Sequence, residues 1–194
     1  VLQAWRKLIS LSLGTNLFTG RITDVHDAVF QHWSHSLVSL DWSDNSLSGS
    51  IGNAIGNHLS SLESLKLMGN DLEGKIPENL KLLSQLQELI LFQNRLTGEI
   101  PTHLAELKKV RTLDIGGNFL SGGIPTHLAS LGQLTNLNLA ENDLRGKIPL
   151  ELGDLTNLRI FHLNANNLSG PIPPTLSRLT ALKEMFLWRN KLTG

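Results

Sequence analysis

The side chains best suited to chemistry in this sequence are its seven histidines, and two groups of them have a spacing that could bind a metal ion. His103 and His127 occupy the same place in the repeated segments PTHLAEL and PTHLASL, and Glu151 occupies that place one repeat later. Two imidazoles and a carboxylate stacked in one column could hold zinc. Duplication of a segment explains the same pairing without a metal, so we predict no metal site here.

The second histidine group lies near the N-terminus, where His32 and His35 are three positions apart and His26 is close in sequence. Solvated histidines, or histidines at the edge of a core, give the same pattern, and we again predict no metal. The chain contains no Cys, which excludes disulfides and thiolate chemistry. It also lacks the GxSxG, HExxH and phosphate-loop motifs. We therefore predict a non-enzymatic protein without a cofactor.

A third candidate for chemistry is covalent modification. Asn167-Leu168-Ser169 is a glycosylation sequon. Chance produces such tripeptides as well, so Asn167 is a glycosylation candidate and nothing more.

Charge and hydropathy argue against two classes of partner. The 17 basic and 17 acidic residues give a formal net charge of zero, which provides no general attraction to nucleic acid or to an anionic membrane. No apolar run approaches the roughly 20 residues that a membrane-spanning helix needs. We expect no nucleic acid partner and no membrane contact within this segment.

The organisation of the chain comes from a repeated pattern, L-x-x-L-x-L-x-x-N-x-L-x-G-x-I-P. Its Asn recurs at Asn16, Asn45, Asn70, Asn94, Asn118, Asn142, Asn166 and Asn190. From Asn70 onward the interval is constant, and a Gly lies at the same offset after every one of these asparagines. A fixed period in this range predicts a solenoid rather than a globular domain.

Each part of the repeat has a physical reason. The last two leucines alternate with other residues, which predicts a short strand with one buried face, and stacked strands form a parallel sheet. An Asn side chain both donates and accepts hydrogen bonds, so it can satisfy the backbone of its own and the adjacent coil. The Gly suits a tight bend, and the Pro begins a return segment of short 3₁₀ turns. We predict a structural ladder formed by Asn45, Asn70, Asn94, Asn118, Asn142 and Asn166.

This pattern resembles the 24-residue, plant-type repeat of the leucine-rich repeat family, which is common in receptor-kinase ectodomains. The resemblance covers essentially all of residues 1–194 and implies one α/β solenoid domain of about eight repeats. In such a right-handed superhelix, a parallel β-sheet lines the concave face and short 3₁₀ or helical turns form the convex face. The cysteine-containing caps of such ectodomains are absent, and the chain begins and ends within a repeat. We therefore expect an internal segment, or a lineage with other caps.

One stretch breaks the period, and we interpret residues 23–36 as an irregular insertion within the first repeats. The interval from Asn16 to Asn45 is longer than every other interval between these asparagines. We expect a short convex helix that begins near Asp27 and is packed by Phe30 and Trp33. An insertion loop that contacts a partner is the alternative.

The residues that the repeat does not require for folding lie on the solvent side of the sheet, at positions six, four, two and one before each Asn and one after it. They are therefore the candidates for binding a partner. These positions are uneven along the stack, with apolar residues in the middle coils and aromatic residues beside charges near the C-terminus. Exposed aromatics beside charges are typical of interface anchors. The residues predicted to bind a partner on the concave face are Lys66, Met68, Ile90, Phe92, Arg95, Asp114, Phe119, Asn138, His162, Asn164, Phe186 and Trp188.

The resemblance implies a recognition module that binds a protein or peptide, as the ligand- or co-receptor-binding ectodomain of a receptor-like protein. Two alternatives stay open. One is an inhibitor of a cell-wall-degrading enzyme or a carbohydrate binder, and the other is an interaction scaffold within an intracellular multidomain or effector protein. The repeat type favours an extracellular or cell-surface location, while the lack of Cys and of a signal peptide leaves an intracellular one open.

Overall fold

Alternation of apolar and polar residues gives each coil a short strand whose central side chain faces the core. The computed structural model describes residues 5–25 and 27–194, and this described part contains eight such strands in one parallel sheet, which we call sheet 1. They are β1 (Ser10–Ser12), β3 (Ser39–Asp41), β5 (Ser64–Lys66), β7 (Glu88–Ile90), β9 (Thr112–Asp114), β11 (Asn136–Asn138), β13 (Ile160–His162) and β15 (Glu184–Phe186). The solvent side of sheet 1 is the concave face.

The register of sheet 1 places equivalent residues of successive coils side by side. Leu65 pairs with Leu89, Leu89 with Leu113, and Leu137 with Phe161, so the central side chains form a continuous apolar column. All five are at most 1% exposed. Burial of each such side chain stabilises the fold by about 1.5–3 kcal/mol, and neighbouring coils share that gain.

A second parallel sheet, sheet 2, follows the turn at the Asn of each coil. Its described strands are β2 (Thr19–Arg21), β4 (Ser46–Gly49), β6 (Asp71–Gly74), β8 (Arg95–Glu99), β10 (Phe119–Gly122), β12 (Asp143–Gly146), β14 (Asn167–Pro171) and β16 (Lys191–Thr193). The repeat pattern predicts only one sheet, because the leucine alternation ends at the Asn. In the structure the backbone after the Asn is also paired with the adjacent coils, in sheet 2. The asparagines therefore need to satisfy only the turn between the two sheets.

The return segments on the convex side are mostly short 3₁₀ helices, as predicted. Their bounds are Ile22–Asp24, Glu78–Leu82, Thr102–Glu106, Thr126–Ser130, Leu150–Asp154 and Pro174–Arg178. A proline precedes each of the last five, with φ between −60° and −73° and extended ψ. Because proline fixes φ in this range and donates no backbone hydrogen bond, it ends sheet 2 and starts the helical turn.

The long first interval contains a true α-helix. Helix α1 (Asp27–His32) is followed by Trp33, and Phe30 and Trp33 are at most 1% exposed. The Phe30 and Trp33 rings meet edge to face with their centroids 6.3 Å apart, and Phe30 also lies 6.2 Å from the Trp42 ring. Residues 23–36 are therefore not irregular throughout. The next coil returns through a second short helix, α2 (Ala54–His58).

The asparagines form a hydrogen-bonded ladder between coils. The Nδ2 group of Asn118 lies 3.2 Å and 2.9 Å from the Ile115 and Gly116 carbonyls of its own coil, and 3.0 Å from the Leu91 carbonyl of the preceding coil. Its Oδ1 accepts a hydrogen bond from the Leu96 backbone N–H at 3.0 Å. The same arrangement recurs at Asn45, Asn70, Asn94, Asn142 and Asn166.

A left-handed residue immediately before each Asn turns the chain between the two sheets. The residues at this position have φ between 51° and 63°, and they are Thr15, Asp44, Gly69, Gln93, Gly117, Glu141, Ala165 and Arg189. Most of them are not glycine, and an L-residue in this conformation costs roughly 1–2 kcal/mol. The ladder bonds of the following Asn hold the chain in this turn.

Candidate binding surface

The concave face is built by the outward side chains of sheet 1, which successive strands bring into register. Asp114 pairs with Asn138, Asn138 with His162, and His162 with Phe186. These four residues come from four successive repeats, yet they lie on neighbouring strands. A ligand lying across the strands would meet all four in succession.

An aromatic cluster stands at one end of this row, and we define it as His162, Phe186 and Trp188. The His162 and Phe186 rings are stacked, with centroids 4.5 Å apart and planes inclined by 5°. His162 Nε2 also lies 2.5 Å from Glu184 Oε1, on the strand that carries Phe186. Stacking and the hydrogen bond together fix the orientation of the imidazole, so the cluster is pre-organised.

The cluster remains open to solvent. Phe186 is 40% exposed and Trp188 is 51% exposed. Both lie in the last coil, where the core-column residue Met185 is also 41% exposed because no further coil among the described residues packs on it. The Arg189 guanidinium lies 5.2 Å from the centre of the Trp188 ring, within the range of a cation–π contact. Tryptophan and arginine are among the side chains that most often contribute strongly to binding once a partner covers them.

Asp114 and Asn138 continue the row with hydrogen-bonding groups. The backbone N–H of Gly116 donates to Asp114 Oδ1 at 3.2 Å, and that of Ala140 donates to Asn138 Oδ1 at 3.0 Å. Burial raises the pKa of the Asp114 carboxyl, while the Gly116 N–H, the Asn138 side chain and His162 partly oppose that rise. This partly desolvated carboxyl would accept a ligand's hydrogen bond in a setting where such bonds are strong.

The middle coils carry the apolar part of the predicted surface. Met68, Ile90 and Phe92 are half-buried on the concave face. Lys66 pairs with Glu88, with its Nζ 3.3 Å from Glu88 Oε2, and this carboxylate also accepts a hydrogen bond from Ser64 at 2.9 Å. The charges in this part of the surface are therefore matched within the chain, which leaves the apolar side chains as its accessible chemistry.

Three predicted residues do not belong to this surface. Asn164 is only 4% exposed, and Ala140 and Ser43 in its column are also buried, because short side chains at the entrance to the turn are covered by neighbouring coils. Arg95 and Phe119 lie in β8 and β10 of sheet 2, since the left-handed residue before each Asn has already turned the chain. The Arg95 guanidinium is 2.7 Å from Asp71, and Phe119 is 62% exposed on sheet 2.

A pocket beside the concave face was missed by the sequence analysis. Its volume is about 240 Å³. Polar side chains, among them Arg111, Thr135 and Arg159, contribute to walls that also contain apolar surface. Arg111 and Arg159 lie at the seventh position before an Asn, one position outside the predicted surface columns. The basic character of that column was visible in the sequence, but the pocket that the column forms was not.

The histidine groups and the sequon have ordinary surroundings. In residues 5–25 and 27–194, no group of three or more His, Cys, Asp or Glu residues is placed to hold a metal ion, and His26 lies outside this range. His103 Nδ1 is 4.0 Å from Glu78. The Asn167 Nδ2 donates to Asp143 Oδ1 at 2.6 Å, so a glycan on Asn167 would replace this hydrogen bond. Hydrogen bonding and the charge of Arg145 lower the pKa of Asp143.

The described helices are all too short to cross a lipid bilayer, and none is apolar enough to do so.

The repeats of this chain match the sequence model of a known family. The model of the leucine-rich repeat family matches residues 36–58, 61–83, 85–107, 109–131, 133–155 and 157–179. No curated protein matches the sequence of the chain.

The chain is also similar to solved plant receptor ectodomains. The Arabidopsis receptor kinase HAESA, in complex with the peptide hormone IDA and the co-receptor SERK1, is 35% identical with a TM-score of 0.91. The GASSHO1/SCHENGEN3 ectodomain of Arabidopsis thaliana, in complex with CASPARIAN STRIP INTEGRITY FACTOR 2, is 32% identical with a TM-score of 0.88. The plant peptide hormone receptor RGFR1, in complex with RGF2, is 31% identical with a TM-score of 0.85. Each of these alignments covers 100% of this chain. They cover 31% of the HAESA chain, 26% of the GASSHO1/SCHENGEN3 chain and 34% of the RGFR1 chain.

Proposed function

Because the chain belongs to the leucine-rich repeat family, we propose that it is a non-enzymatic recognition module whose concave face binds a peptide. In this proposal the chain is part of the ligand-binding ectodomain of a receptor-like protein. It spans about a third of the receptor chains to which it is similar, so it would supply one section of a longer binding surface.

The observation that carries the proposal is the aromatic cluster. Phe186 and Trp188 expose 40% and 51% of their surface, while stacking and hydrogen bonding hold His162 in place beside Phe186. A fixed, half-exposed aromatic surface loses little conformational entropy when a ligand covers it. It therefore suits an apolar or aromatic side chain of a bound peptide.

The row beside the cluster suits the backbone of the same peptide. Asp114 accepts hydrogen bonds, and Asn138 both donates and accepts them. In an extended peptide, alternate side chains point toward the sheet and the backbone groups remain free for such bonds. We expect the peptide to lie across the strands with its apolar anchor on the cluster.

The solved complexes support the same kind of partner. HAESA was solved with the peptide hormone IDA, and RGFR1 is a plant peptide hormone receptor that was solved with RGF2. Their similarity to this chain favours a peptide over a small molecule or a nucleic acid as its ligand.

Selection from a displayed library of random peptides tests the proposal. The purified chain should enrich a peptide family with a common apolar residue, and Phe186→Ala with Trp188→Ala should weaken its binding at least tenfold. The matched control is Leu82→Ala with Leu150→Ala, which removes two exposed apolar side chains from the convex return segments.

Circular dichroism first establishes that both double variants are folded. Enrichment of no peptide family, or equal loss of binding in the two double variants, would refute the proposed function.

A further inference from the structure

The rim of sheet 1 carries a row of cations in the second half of the molecule. The row consists of three cations, Arg111, Arg159 and Lys183, with the uncharged Thr135 between the two arginines. All four residues lie at the seventh position before an Asn of the repeat. The backbone N–H of Thr135 donates to the Arg111 carbonyl at 2.8 Å, that of Arg159 to Thr135 at 2.7 Å, and that of Lys183 to Arg159 at 2.8 Å. Successive members are thus one coil, about 4.8 Å, apart.

A pocket of about 240 Å³ lies between the two arginines of this row. Its walls are Arg111, Gln133, Thr135, Asn157, Arg159 and Ala181. Gln133, Asn157 and Ala181 share one column, at the ninth position before the ladder Asn, and the short Ala181 side chain leaves space above Asn157. The Asn157 amide donates to the Gly132 carbonyl at 2.7 Å, which fixes that wall of the pocket.

The cations around the pocket have no anionic partner in the described part of the chain. The ion pairs there involve Lys66, Lys81, Arg95, Arg145, Arg178 and three histidines. Arg111, Arg159 and Lys183 are exposed and take part in none of them. Arg159 and Lys183 are even direct neighbours of the same sign, an arrangement that costs free energy unless an anion lies between them.

The first half of the same rim is different, which shows that the repeat does not require this charge. There the corresponding column reads Glu63 and Gln87, and Gln87 Nε2 donates to Glu63 Oε2 at 2.9 Å. Those two side chains satisfy each other across adjacent coils. Among the described residues, the unpaired cations of this column are therefore confined to the second half of the rim, and Arg159 and Lys183 lie in the coils that also carry the aromatic cluster.

Two unpaired arginines that line one pocket are suited to an oxyanion. Each guanidinium can give two parallel hydrogen bonds to a carboxylate, sulfate or phosphate group, and the fixed fork makes such pairs stronger and more directional than a lysine contact. The Gln133 amide, which has no hydrogen-bond partner among the described residues, adds a neutral donor.

We propose that the rim pocket binds an oxyanion, with Arg111 and Arg159 as its two arms. The identity of the ligand rests on the proposed function: the oxyanion is an acidic group of the bound peptide. Arg159 precedes His162 by three positions, so the pocket lies about 10 Å from the aromatic cluster along the strand direction. The acidic group of the ligand should be at a similar distance from its apolar anchor.

Titration with inorganic anions tests the pocket without the peptide. Sodium sulfate, sodium phosphate and sodium acetate are added to the folded chain at constant ionic strength, with sodium chloride as the reference. We expect a binding isotherm and a rise in melting temperature beyond that of chloride. Preference for acetate would identify a carboxylate as the ligand group, and preference for sulfate or phosphate a tetrahedral ester.

Three variants locate the effect. Arg111→Gln with Arg159→Gln should weaken anion binding at least tenfold, whereas Arg145→Gln, which removes a guanidinium paired with Asp143 on sheet 2, should leave it unchanged. Ala181→Glu should place the chain's own carboxylate in the pocket and abolish anion binding while the protein stays folded. A wild-type response equal to that of chloride, or equal responses in all variants, would overturn the inference.

The peptide selection separates this inference from the proposed function. If the chain selects peptides whose binding requires Phe186 and Trp188 but binds no inorganic anion, the anion site in the rim pocket is refuted and the proposed function stands. Anion binding without any selected peptide would overturn the peptide as the ligand. An acidic residue common to the selected peptides, whose affinity falls in the double arginine variant, would support both.

Discussion

Two regions of the molecule fill their cores with different side chains. We call them the N-terminal coils (residues 5–25 and 27–69) and the regular coils (residues 70–166). In the regular coils the ladder asparagines Asn70, Asn94, Asn118 and Asn166 are 5–8% exposed, and leucines fill the core. In the N-terminal coils the core contains Phe30, Trp33 and Trp42, and the return segments include α-helices. A cavity of about 530 Å³ with mainly apolar walls also lies between the first coils.

The two regions also differ in how well their buried polar atoms are hydrogen-bonded, and the constant period of the regular coils accounts for this. In the described residues, the buried side-chain polar atoms without a partner are Trp33 Nε1, Trp42 Nε1 and Ser43 Oγ, and all three are in the N-terminal coils. Each such atom costs about 1–3 kcal/mol. A constant period lets every coil satisfy the one before it, whereas the longer first interval is packed by aromatic rings whose polar atoms find no partner.

The largest expected effect comes from the ladder itself. Asn118→Ala removes hydrogen bonds to three carbonyls and one N–H, all buried, and should lower the free energy of unfolding by about 3 kcal/mol. Asn16→Ala should cost less than about 0.5 kcal/mol, because Asn16 is exposed and bonds only its own coil. Urea denaturation followed by circular dichroism measures both. Equal losses would mean that the ladder does not distinguish the two regions.

Close approach between return segments should have the next largest effect. A Cβ on Gly153 would lie 2.4 Å from the Thr175 carbonyl oxygen of the following coil, so Gly153→Ala should lower stability by about 2 kcal/mol. A Cβ on Gly132 would have no neighbour within 4 Å, and Gly132→Ala is the matched control. A neutral Gly153→Ala variant would show that neighbouring return segments can move apart to admit a methyl group, and would contradict the close packing of the regular coils.

A third prediction concerns the left-handed turn that precedes each Asn. Ala165 has φ of 54°, and Ala165→Gly should raise the free energy of unfolding by about 0.5–1 kcal/mol, since glycine adopts this conformation without steric cost. Ala140→Gly, at a buried position that is not among the left-handed residues, should lower stability instead. The same urea series compares the two. Loss of stability in both variants would contradict the assignment of strain to this turn.

The smallest effect should come from Asp114 in the regular coils. Burial raises the pKa of its carboxyl in the folded state, so folding becomes less favourable as the pH rises above the ordinary value of 3.8 and this carboxyl ionises. Asp114→Asn keeps the acceptor for the Gly116 N–H and should raise stability by about 0.5 kcal/mol at neutral pH. The gain should disappear below pH 3.8. A gain that is independent of pH would show that desolvation of the carboxylate is not its cause.

The repeat made most of the fold predictable. Its leucines and Asn are required by contacts between coils, and its Gly and Pro by the backbone conformation of each coil. Their spacing therefore predicts the first sheet and the 3₁₀ turns. Sheet 2 was not predictable in the same way. Most of its strands contain one leucine followed by polar residues or glycine, such as Ser48 and Ser121, so no apolar alternation distinguishes a strand from a turn.

The candidate surface was predictable only in part. The contact of His162 with Phe186 follows from the constant period, and their register in sheet 1 agrees with it. The burial of Asn164 depends on how closely neighbouring coils approach at the turn, which the spacing does not give. The rim pocket depends on the short Ala181 side chain in a column that no repeat rule singles out.

The ladder bonds span constant separations in the regular coils. From Asn118 the bonds reach back 22 residues to Leu96 and 27 to Leu91, and the corresponding carbonyl bond of Asn45 reaches back 32 residues across the longer first interval. Duplication or loss of one complete coil would therefore leave every remaining junction unchanged, whereas an indel of a few residues would mispair one. Such a gene can lengthen or shorten by unequal crossing-over between its own repeats, and each event would shift the aromatic cluster relative to the middle coils while leaving the core intact.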